Sequence, residues 1–436
     1  MLKKKLSSSS LAKLFVTSCL VSVASVAPVY ADHSHGLKQA IKDGSAYVDA
    51  RYRYEYVDQS NIADEAKAST LRTRFGYKTG KYHGLAGQLE FENVTAIGAE
   101  NYNDGGGTAS RSGVPVVADP VDTELNQAFL TYDVVDGVVL KGGRHTLNRG
   151  NQRFIGSVDW RQNNQTHDGA AIIVTALADT EIFYGYSYNI NRIFGSDDAV
   201  GDFGGDIHMI DATYMGLPST KISAFGYFLD IDDPESQAAN ASDTYGLRVW
   251  GSPEISDGVK LLYDASWATQ EDTGDNSVNY DADYYNIEAG VSFAGLTIKA
   301  GYEELGSDNG DFAFRTPLAT LHKFNGWADQ FLVTPAAGLQ DAYGVVSYKV
   351  NGVNDTFDGT KIVAAYHEFS PDSSGGDYGT EFNLAINKKI AKHYMLGVKY
   401  ADFSSDENGI AANNDVEKVI FTVGMKFDDL GKILSK

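Results

Sequence analysis

Four arginines in the first part of the chain occur as two pairs with a spacing of two residues, Arg51 with Arg53 and Arg72 with Arg74. A planar guanidinium group can bind a carboxylate through two parallel hydrogen bonds, whereas the ammonium group of lysine acts more like a point charge. Residues that are two apart lie on the same face of a β-strand. If both segments are strands, the four arginines form one cationic surface that is suited to acidic groups.

Other reactive side chains show no spacing that is typical of a catalytic or metal site. The histidines are dispersed, and none lies in a metal-binding or nucleophile motif. The acidic runs at 230–233 and 281–283 lack the glycine and the terminal glutamate of a calcium-binding loop. The sequence therefore predicts no enzyme activity, no cofactor and no metal site.

The segments that carry the arginines alternate apolar and polar side chains, as a β-strand with two different faces does. In the first segment Val48, Ala50 and Tyr52 oppose Asp49, Arg51 and Arg53. The chain is 43% hydrophobic, yet no window after residue 31 is apolar enough for a membrane-spanning helix. A formal charge of −22 argues against nucleic-acid binding, because the surface would repel phosphate.

Eighteen alternating segments can be counted between residues 45 and 427. Long polar loops follow the odd segments, whereas the turns after the even segments are at most about nine residues long, as is typical of a transmembrane antiparallel up-and-down β-barrel. Closure of the sheet satisfies every backbone group in hydrocarbon. A large soluble β protein is the alternative, but it would have to bury eighteen apolar faces elsewhere. The predicted strands are 45–57, 69–79, 84–97, 123–134, 137–147, 167–178, 181–193, 206–216, 219–231, 243–251, 257–270, 282–293, 295–306, 340–350, 359–369, 378–388, 391–403 and 414–427.

The amino terminus has the features of a secretory signal peptide. Three lysines, at positions 3 to 5, precede an apolar run that ends in Val29, Tyr30 and Ala31. We predict a signal peptide at 1–31, a periplasmic segment at 32–44, the transmembrane barrel at 45–427 and a periplasmic tail at 428–436. Cleavage after Ala31 would remove Cys19, the only cysteine; lipidation of Cys19 is the alternative.

An eighteen-stranded barrel is wide enough for an aqueous channel, so the polar face should line a lumen. Two roles remain open for the cationic residues of that face. They could guide anions, or they could pair with carboxylates and hold the barrel in shape. Strand parity predicts the inward-facing cationic residues Arg51, Arg53, Arg72, Arg74, Lys78, Arg248, Lys260 and Lys299, and the candidate partners Asp49, Glu55, Glu90 and Glu92.

Arg144 is harder to place, because its parity matches that of Val138 and Leu140 and would point it at lipid. Either it lies beyond the membrane edge, or a bulge at residues 142–143 turns it inward. The following loop, 148–166, either folds into the pore mouth as a constriction or only attaches to the inner wall of the barrel. With Arg144, the further candidate pore residues in this region are Arg149, Arg153, Arg161 and Asp168.

Two other long loops have different compositions. The loop 307–339 is rich in large apolar residues, so we expect it to pack over or into the pore mouth. They include Leu318, Leu321, Phe324, Trp327, Phe331 and Leu332. The loop 98–122 is more polar and contains three consecutive glycines at 105–107, which makes it the candidate gate.

Two stretches of the chain resemble the outer-membrane alginate-export porin family. They are residues 143–170 (GRHTLNRGNQRFIGSVDWRQNNQTHDGA) and residues 316–331 (TPLATLHKFNGWADQF), and residues 126–130 (NQAFL) fit the family too. The resemblance implies an eighteen-stranded porin with an arginine-lined lumen that suits polyanionic uronate chains, and it favours inward folding of the loop 148–166. Alginate exporters carry a long plugging segment on the periplasmic side, whereas the corresponding turns are short here.

These features predict an outer-membrane porin of a Gram-negative bacterium that passes small hydrophilic, anionic solutes, such as sugar acids or oligouronates, by diffusion. One alternative is an export channel for alginate or another anionic polysaccharide. Another is a surface adhesin or receptor with a closed lumen. The expected partners are outer-membrane lipid, lipopolysaccharide, the barrel assembly machinery and the solute, but no nucleic acid; a monomer is favoured over a trimer.

Overall fold

The chain forms one closed antiparallel β-barrel of eighteen strands, in a computed structural model that describes residues 36–106, 111–196, 198–373, 375–406 and 414–430. The first strand pairs with the second on one side and with the last on the other, so the sheet has no free edge. The predicted fold class is therefore confirmed. The predicted signal peptide, 1–31, lies outside the described residues.

Each of the eighteen predicted segments corresponds to one strand of the barrel. The strands are β1 Ser45–Gln59, β2 Ala66–Lys78, β3 Leu85–Asn101, β4 Asp122–Val135, β5 Val138–His145, β6 Thr166–Val174, β7 Thr180–Asn191, β8 Asp202–Leu217, β9 Thr220–Asp233, β10 Ser242–Gly251, β11 Val259–Asp272, β12 Asp281–Phe293, β13 Leu296–Leu305, β14 Leu339–Lys349, β15 Lys361–Ser370, β16 Gly379–Ile390, β17 Tyr394–Ser405 and β18 Val416–Phe427.

A few short elements accompany the barrel. The α-helix α1, Leu37–Lys42, precedes β1, and 3₁₀ turns form at Glu235–Asn240 and Leu321–Lys323. The short strand Glu254–Ser256 pairs with β11, and Ser307–Asp308 pairs with Phe312–Ala313. Among the described residues, none of the helices has the length and the apolar character that a membrane span requires.

The two faces of the sheet are inverted relative to those of a soluble protein. Charged side chains such as Glu55, Arg72 and Glu92 are buried inside the barrel, whereas Ile287 on the outer face is 63% exposed. Buried charges and exposed large apolar side chains would both be unfavourable in a water-soluble monomer. The arrangement is favourable when the outer face contacts hydrocarbon.

Loop lengths alternate largely as predicted, with two differences. The loop between β1 and β2 is only 60–65, because both strands extend further than their alternation indicates. The turn 350–360 exceeds the predicted limit of about nine residues. The tightest turns need positive φ angles, as at Ala294 (47°) and Gly295 (83°), which match the twist of an antiparallel pair.

The packed apolar core lies inside the barrel, where two extracellular loops fold against the inner wall. Ile155 and Leu318, one from each loop, share a buried cluster with Phe183 of β7. Phe331 of loop 306–338 packs in a second cluster with Phe369 of β15. The prediction that this loop packs into the mouth is therefore confirmed.

A chain that ends at Phe427 should assemble as the full-length chain does, because the ladder between β18 and β1 already closes at the pair Val48 and Phe427. Beyond it, Asp428 forms an exposed ion pair with Lys426. Heat-modifiable gel migration in lipid measures assembly. A chain that ends at Thr422 is the matched control and should fail, because it loses five residues of the closing ladder; equal failure of both chains would contradict the assigned closure.

Candidate functional site

The loop between β5 and β6, residues 146–165, crosses the interior of the barrel. Its central polar residues, including Gln162, Asn163 and Asn164, are buried although they belong to no strand. Buried loop backbone requires hydrogen-bond partners from its surroundings. The loop therefore folds inward, as the family resemblance favours, and it is also held against the inner wall.

Two arginines of β1 supply those partners. Arg51 donates to the carbonyl oxygens of Asp159 (2.8 Å) and Arg161, and its Nε donates to Oε1 of Gln162 (2.9 Å). Arg53 donates to the intervening carbonyl oxygen of Trp160 and lies over its ring. Three consecutive carbonyl groups are thus held by two neighbouring inward-facing side chains.

Two arginines of β2 hold the side chain at the same loop tip. Nη1 of Arg74 lies 2.7 Å, and Nη1 of Arg72 3.5 Å, from Oδ1 of Asp159. Each also has a carboxylate partner on the wall, Asp49 for Arg72 (2.6 Å) and Glu92 for Arg74. The side chain of Asp159 is 60% exposed, but the surrounding wall and loop displace part of its water, which by itself would raise its pKa; Arg74, Arg51 and Arg72 together hold the pKa below its usual value.

Trp160 joins this loop to loop 306–338. Its ring stacks on His322 with 3.3 Å between centroids and 11° between planes. Nδ1 of His322 lies 2.7 Å from Oδ1 of Asp329, and Nε2 lies 2.6 Å from Nζ of Lys399. Because an ammonium group only donates, Nε2 accepts and the Nδ1 hydrogen points at Asp329. Burial lowers the pKa of His322 well below its ordinary value, which agrees with a neutral ring.

Arg161 and Lys418 surround the carboxylate groups beside that ring. Arg161 donates to Oε2 of Glu55 (3.0 Å) and lies 3.4 Å from Oδ2 of Asp329. Nζ of Lys418 donates to the same Oδ2 at 2.6 Å. Burial would raise the pKa of Asp329, but His322, Lys418 and Arg161 hold it well below its ordinary value.

Arg153 ties both loops to the opposite wall and is only 2% exposed. It donates to Oε1 of Glu303 on β13 (2.9 Å), to the hydroxyl group of Thr316 (3.0 Å) and to Oδ1 of Asn325 (3.1 Å). Thr316 and Asn325 belong to loop 306–338. The side chain therefore fixes one loop to the other and both to the barrel.

Arg149 anchors the start of loop 146–165 to β7 and β8. It binds both carboxylate oxygens of Asp211 (2.7 and 2.5 Å) and Oε1 of Glu181 (2.9 Å). Beside it lies a small recess that is partly lined by Arg248, Trp250 and Phe154. The recess combines aromatic faces with guanidinium groups on the inner wall.

The remaining inward cationic residues of the later strands pair within the sheet or stay exposed. Arg248 binds Asp264 through both oxygens, and Lys299 donates to Glu288 at 3.0 Å. Lys260 is exposed, and its register partners are Glu254 and Ser292. None of these three has a hydrogen bond to loop 146–165 among those found in the described residues.

Two predicted pore residues face away from the lumen, which corrects their assignment. Arg144 and Asp168 form a two-bonded pair, at 2.8 Å each, beside the extracellular ends of β5 and β6. They lie on the sheet face opposite to His145 and His167, which are buried towards the interior. Gly143 has a φ of 118°, yet the register with β4 continues through it, so the strand bends without turning Arg144 inward.

The predicted gate, loop 98–122, is only partly described. Residues 107–110, which include one of its three glycines, lie outside the described residues. The later part of the loop packs into the interior, where Asp119 accepts a hydrogen bond from the backbone of Gln162 (2.9 Å) and lies 3.6 Å from Arg53. The prediction of a flexible gate is therefore wrong for that part of the loop.

Several residues of the site were not singled out from the sequence. Strand parity could have identified Lys399 and Lys418 as inward-facing. No local sequence pattern indicates that Asp159 and Asp329 belong to the site, because their partners lie far away along the chain. The residues added to the site by the structure are Asp119, Asp159, His322, Asp329, Lys399 and Lys418.

Comparisons with known proteins show the fold. No family model and no curated protein matches the chain. OccK5 (OpdH) of Pseudomonas aeruginosa is 14% identical with a TM-score of 0.64, covering 89% of this chain and 99% of its own. OccD3 (OpdP) of the same organism is 16% identical with a TM-score of 0.65, covering 93% and 97%. OccAB2 of Acinetobacter baumannii is 14% identical with a TM-score of 0.68, covering 89% and 98%.

These structures belong to Occ and Opd outer-membrane porins and not to alginate-export porins, so the comparisons do not support the specific resemblance drawn from the sequence. At such low identities the likeness establishes a shared barrel fold. Together with the apolar outer face, that fold places the chain in the outer membrane of a Gram-negative bacterium, as predicted.

Replacing Arg153 by Met should loosen both loops, because it leaves the buried Glu303 carboxylate without its cation. Removing one partner of a buried ion pair costs about 3–5 kcal/mol. Limited proteolysis should then cut within 306–338, where the wild-type chain resists. Lys299→Met is the matched control, since Lys299 pairs with Glu288 within the wall; equal resistance of R153M and wild type would contradict the anchoring role.

The carboxylate of Asp329 should stabilise the loops with a defined pH dependence. Its pKa is lower in the folded than in the unfolded state, so its contribution is full above about pH 5 and declines as the pH falls below about 4. The measurement compares the urea midpoints for loop proteolysis of wild type and Asp329→Asn between pH 3 and 8. The exposed Asp64→Asn is the control, and a difference that disappears as the pH rises would refute the assignment.

Proposed function

We propose that the chain is an outer-membrane porin that passes small hydrophilic anions by diffusion past its own inserted loops. The observation that carries this proposal is the arginine wall, defined as Arg51, Arg53, Arg72 and Arg74 on β1 and β2. All four side chains face the tip of loop 146–165. Sugar acids and short oligouronates have the carboxylate groups that such a wall suits.

The contacts of the arginine wall support both roles that the sequence left open. Arg72 and Arg74 pair with Asp49 and Glu92, which gives them a structural role. Arg51 hydrogen-bonds only to neutral oxygen atoms among the described residues. Its charge is therefore the least compensated of the four, and it favours anions at the loop tip.

The inserted loops favour small solutes over a polymer. Both loops pack into buried clusters with the wall, which leaves less space than an open barrel of this width would have. A polysaccharide exporter would need a continuous path for a long chain. The same packing favours, as a second candidate, a receptor or adhesin with a closed lumen.

Conductance in planar bilayers separates the porin from the closed receptor, since the refolded chain should open discrete channels. Arg51→Gln should then lower the anion-to-cation permeability ratio about two- to threefold, because one positive charge is lost while Asp49, Glu92 and Asp159 keep their direct contacts with Arg72 and Arg74. The reversal potential under a salt gradient measures that ratio. Permeation of galacturonate, galactose and lysine tests the solute class directly.

The matched control for Arg51→Gln is Lys67→Gln, which also removes one positive charge but does so outside the lumen, where Lys67 lies beside Glu65 at the extracellular end of β2. An unchanged reversal potential in R51Q would leave the arginine wall with a structural role alone. A chain that never opens channels would favour the closed receptor.

A further inference from the structure

We propose that the carboxylate of Asp159 occupies an anion-binding site of the lumen, and that a solute carboxylate passes by changing places with it. This inference rests on the proposed function and names the subsite at which the solute binds. Asp159 thereby acts as the porin's own resident counter-ion.

The geometry around Asp159 is that of an occupied carboxylate site. Its Oδ1 accepts from Nη1 of Arg74 at 2.7 Å and lies 3.5 Å from Nη1 of Arg72. Arg51 binds the backbone oxygen of the same residue at 2.8 Å. Three guanidinium groups therefore converge on one loop residue.

The carboxylate of Asp159 balances the charge of the site. Arg72 keeps Asp49 and Arg74 keeps Glu92 as partners, whereas Arg51 has no carboxylate in hydrogen-bond contact among the described residues. With Asp159 the three arginines face three carboxylates. Without it the site carries one uncompensated positive charge.

Exposure shows how a solute reaches the site. The side chain of Asp159 is 60% exposed, whereas those of Arg72 and Arg74 are buried. Nε of Arg72 is also buried, and it has no hydrogen-bond partner among the described residues. A solute in the lumen therefore meets the guanidinium groups at the position that Asp159 occupies.

Exchange needs no movement of the loop backbone. The carbonyl groups of residues 159–161 are held by Arg51 and Arg53, so the backbone stays fixed while the exposed carboxylate rotates away. The arriving carboxylate takes the same donors, and the charge of the site is conserved. The exchange is reversible for the same reason.

This arrangement meets the two demands on a selective channel, which must bind its solute well enough to admit it and weakly enough to release it. A vacant site with an excess positive charge would hold an anion tightly and slow its release. The internal carboxylate competes with the solute and weakens its binding.

The test uses the full chain in liposomes, with galacturonate as the probe, and measures flux against concentration. Asp159→Asn keeps the shape of the side chain but removes its charge, so the half-saturation concentration should fall about tenfold and the maximal flux should also fall. Asp159→Glu restores a carboxylate and should return both values towards wild type. Asp159→Ser provides a second variant without a carboxylate if D159N does not assemble.

Asp206→Asn is the matched control, because Asp206 is exposed on the outer face of β8 and bonds to Tyr186. If D159N and D159S show the concentration dependence of D206N while wild-type flux saturates with galacturonate, the exchange site is refuted and the porin function stands. If wild type passes galactose and lysine as readily as galacturonate, the proposed anion selectivity itself fails, and the inference fails with it.

Discussion

Hydrogen bonds from inward-facing arginines to two inserted loops are the interaction on which the rest of this structure depends. An eighteen-stranded barrel leaves a wide, water-filled interior unless something occupies it. A loop can occupy that interior only when its backbone groups have partners. Arg51 and Arg53 supply donors from β1, and Arg153 supplies donors from within loop 146–165 itself.

The position of these arginines also explains why charge is buried where a soluble protein would place apolar residues. The outer face must be apolar for lipid, so the barrel's polar residues are concentrated on the inner face. Buried charges are tolerated when each is paired and hydrogen-bonded. Arg161, for example, contacts carboxylates from the wall and from loop 306–338. The charged network thus holds the loops against the sheet, while apolar clusters fill the remaining space.

Most of the fold could be predicted because strand alternation is a local property of the sequence. The inward orientation of Arg51, Arg53, Arg72 and Arg74 followed from parity alone. The assignment of Arg144 and Asp168 to the pore was wrong. The bulge that could have turned Arg144 inward does not reverse the strand, and Asp168, which was grouped with the loop at the pore mouth, pairs with Arg144 on the outer face. The prediction also failed for the turn 350–360, since polar residues near strand ends do not show where the ladder stops.

The sequence by itself determined the number of strands, their two faces and the membrane in which they lie, because each follows from a period of two and from the lengths of the connections. Only the tertiary structure decided which loop carboxylates meet the arginines. Asp159 lies 85 residues from Arg74 along the chain, and Arg161 lies 168 from Asp329. Such pairs depend on the path of two loops through the lumen, and that path is set by many contacts acting together.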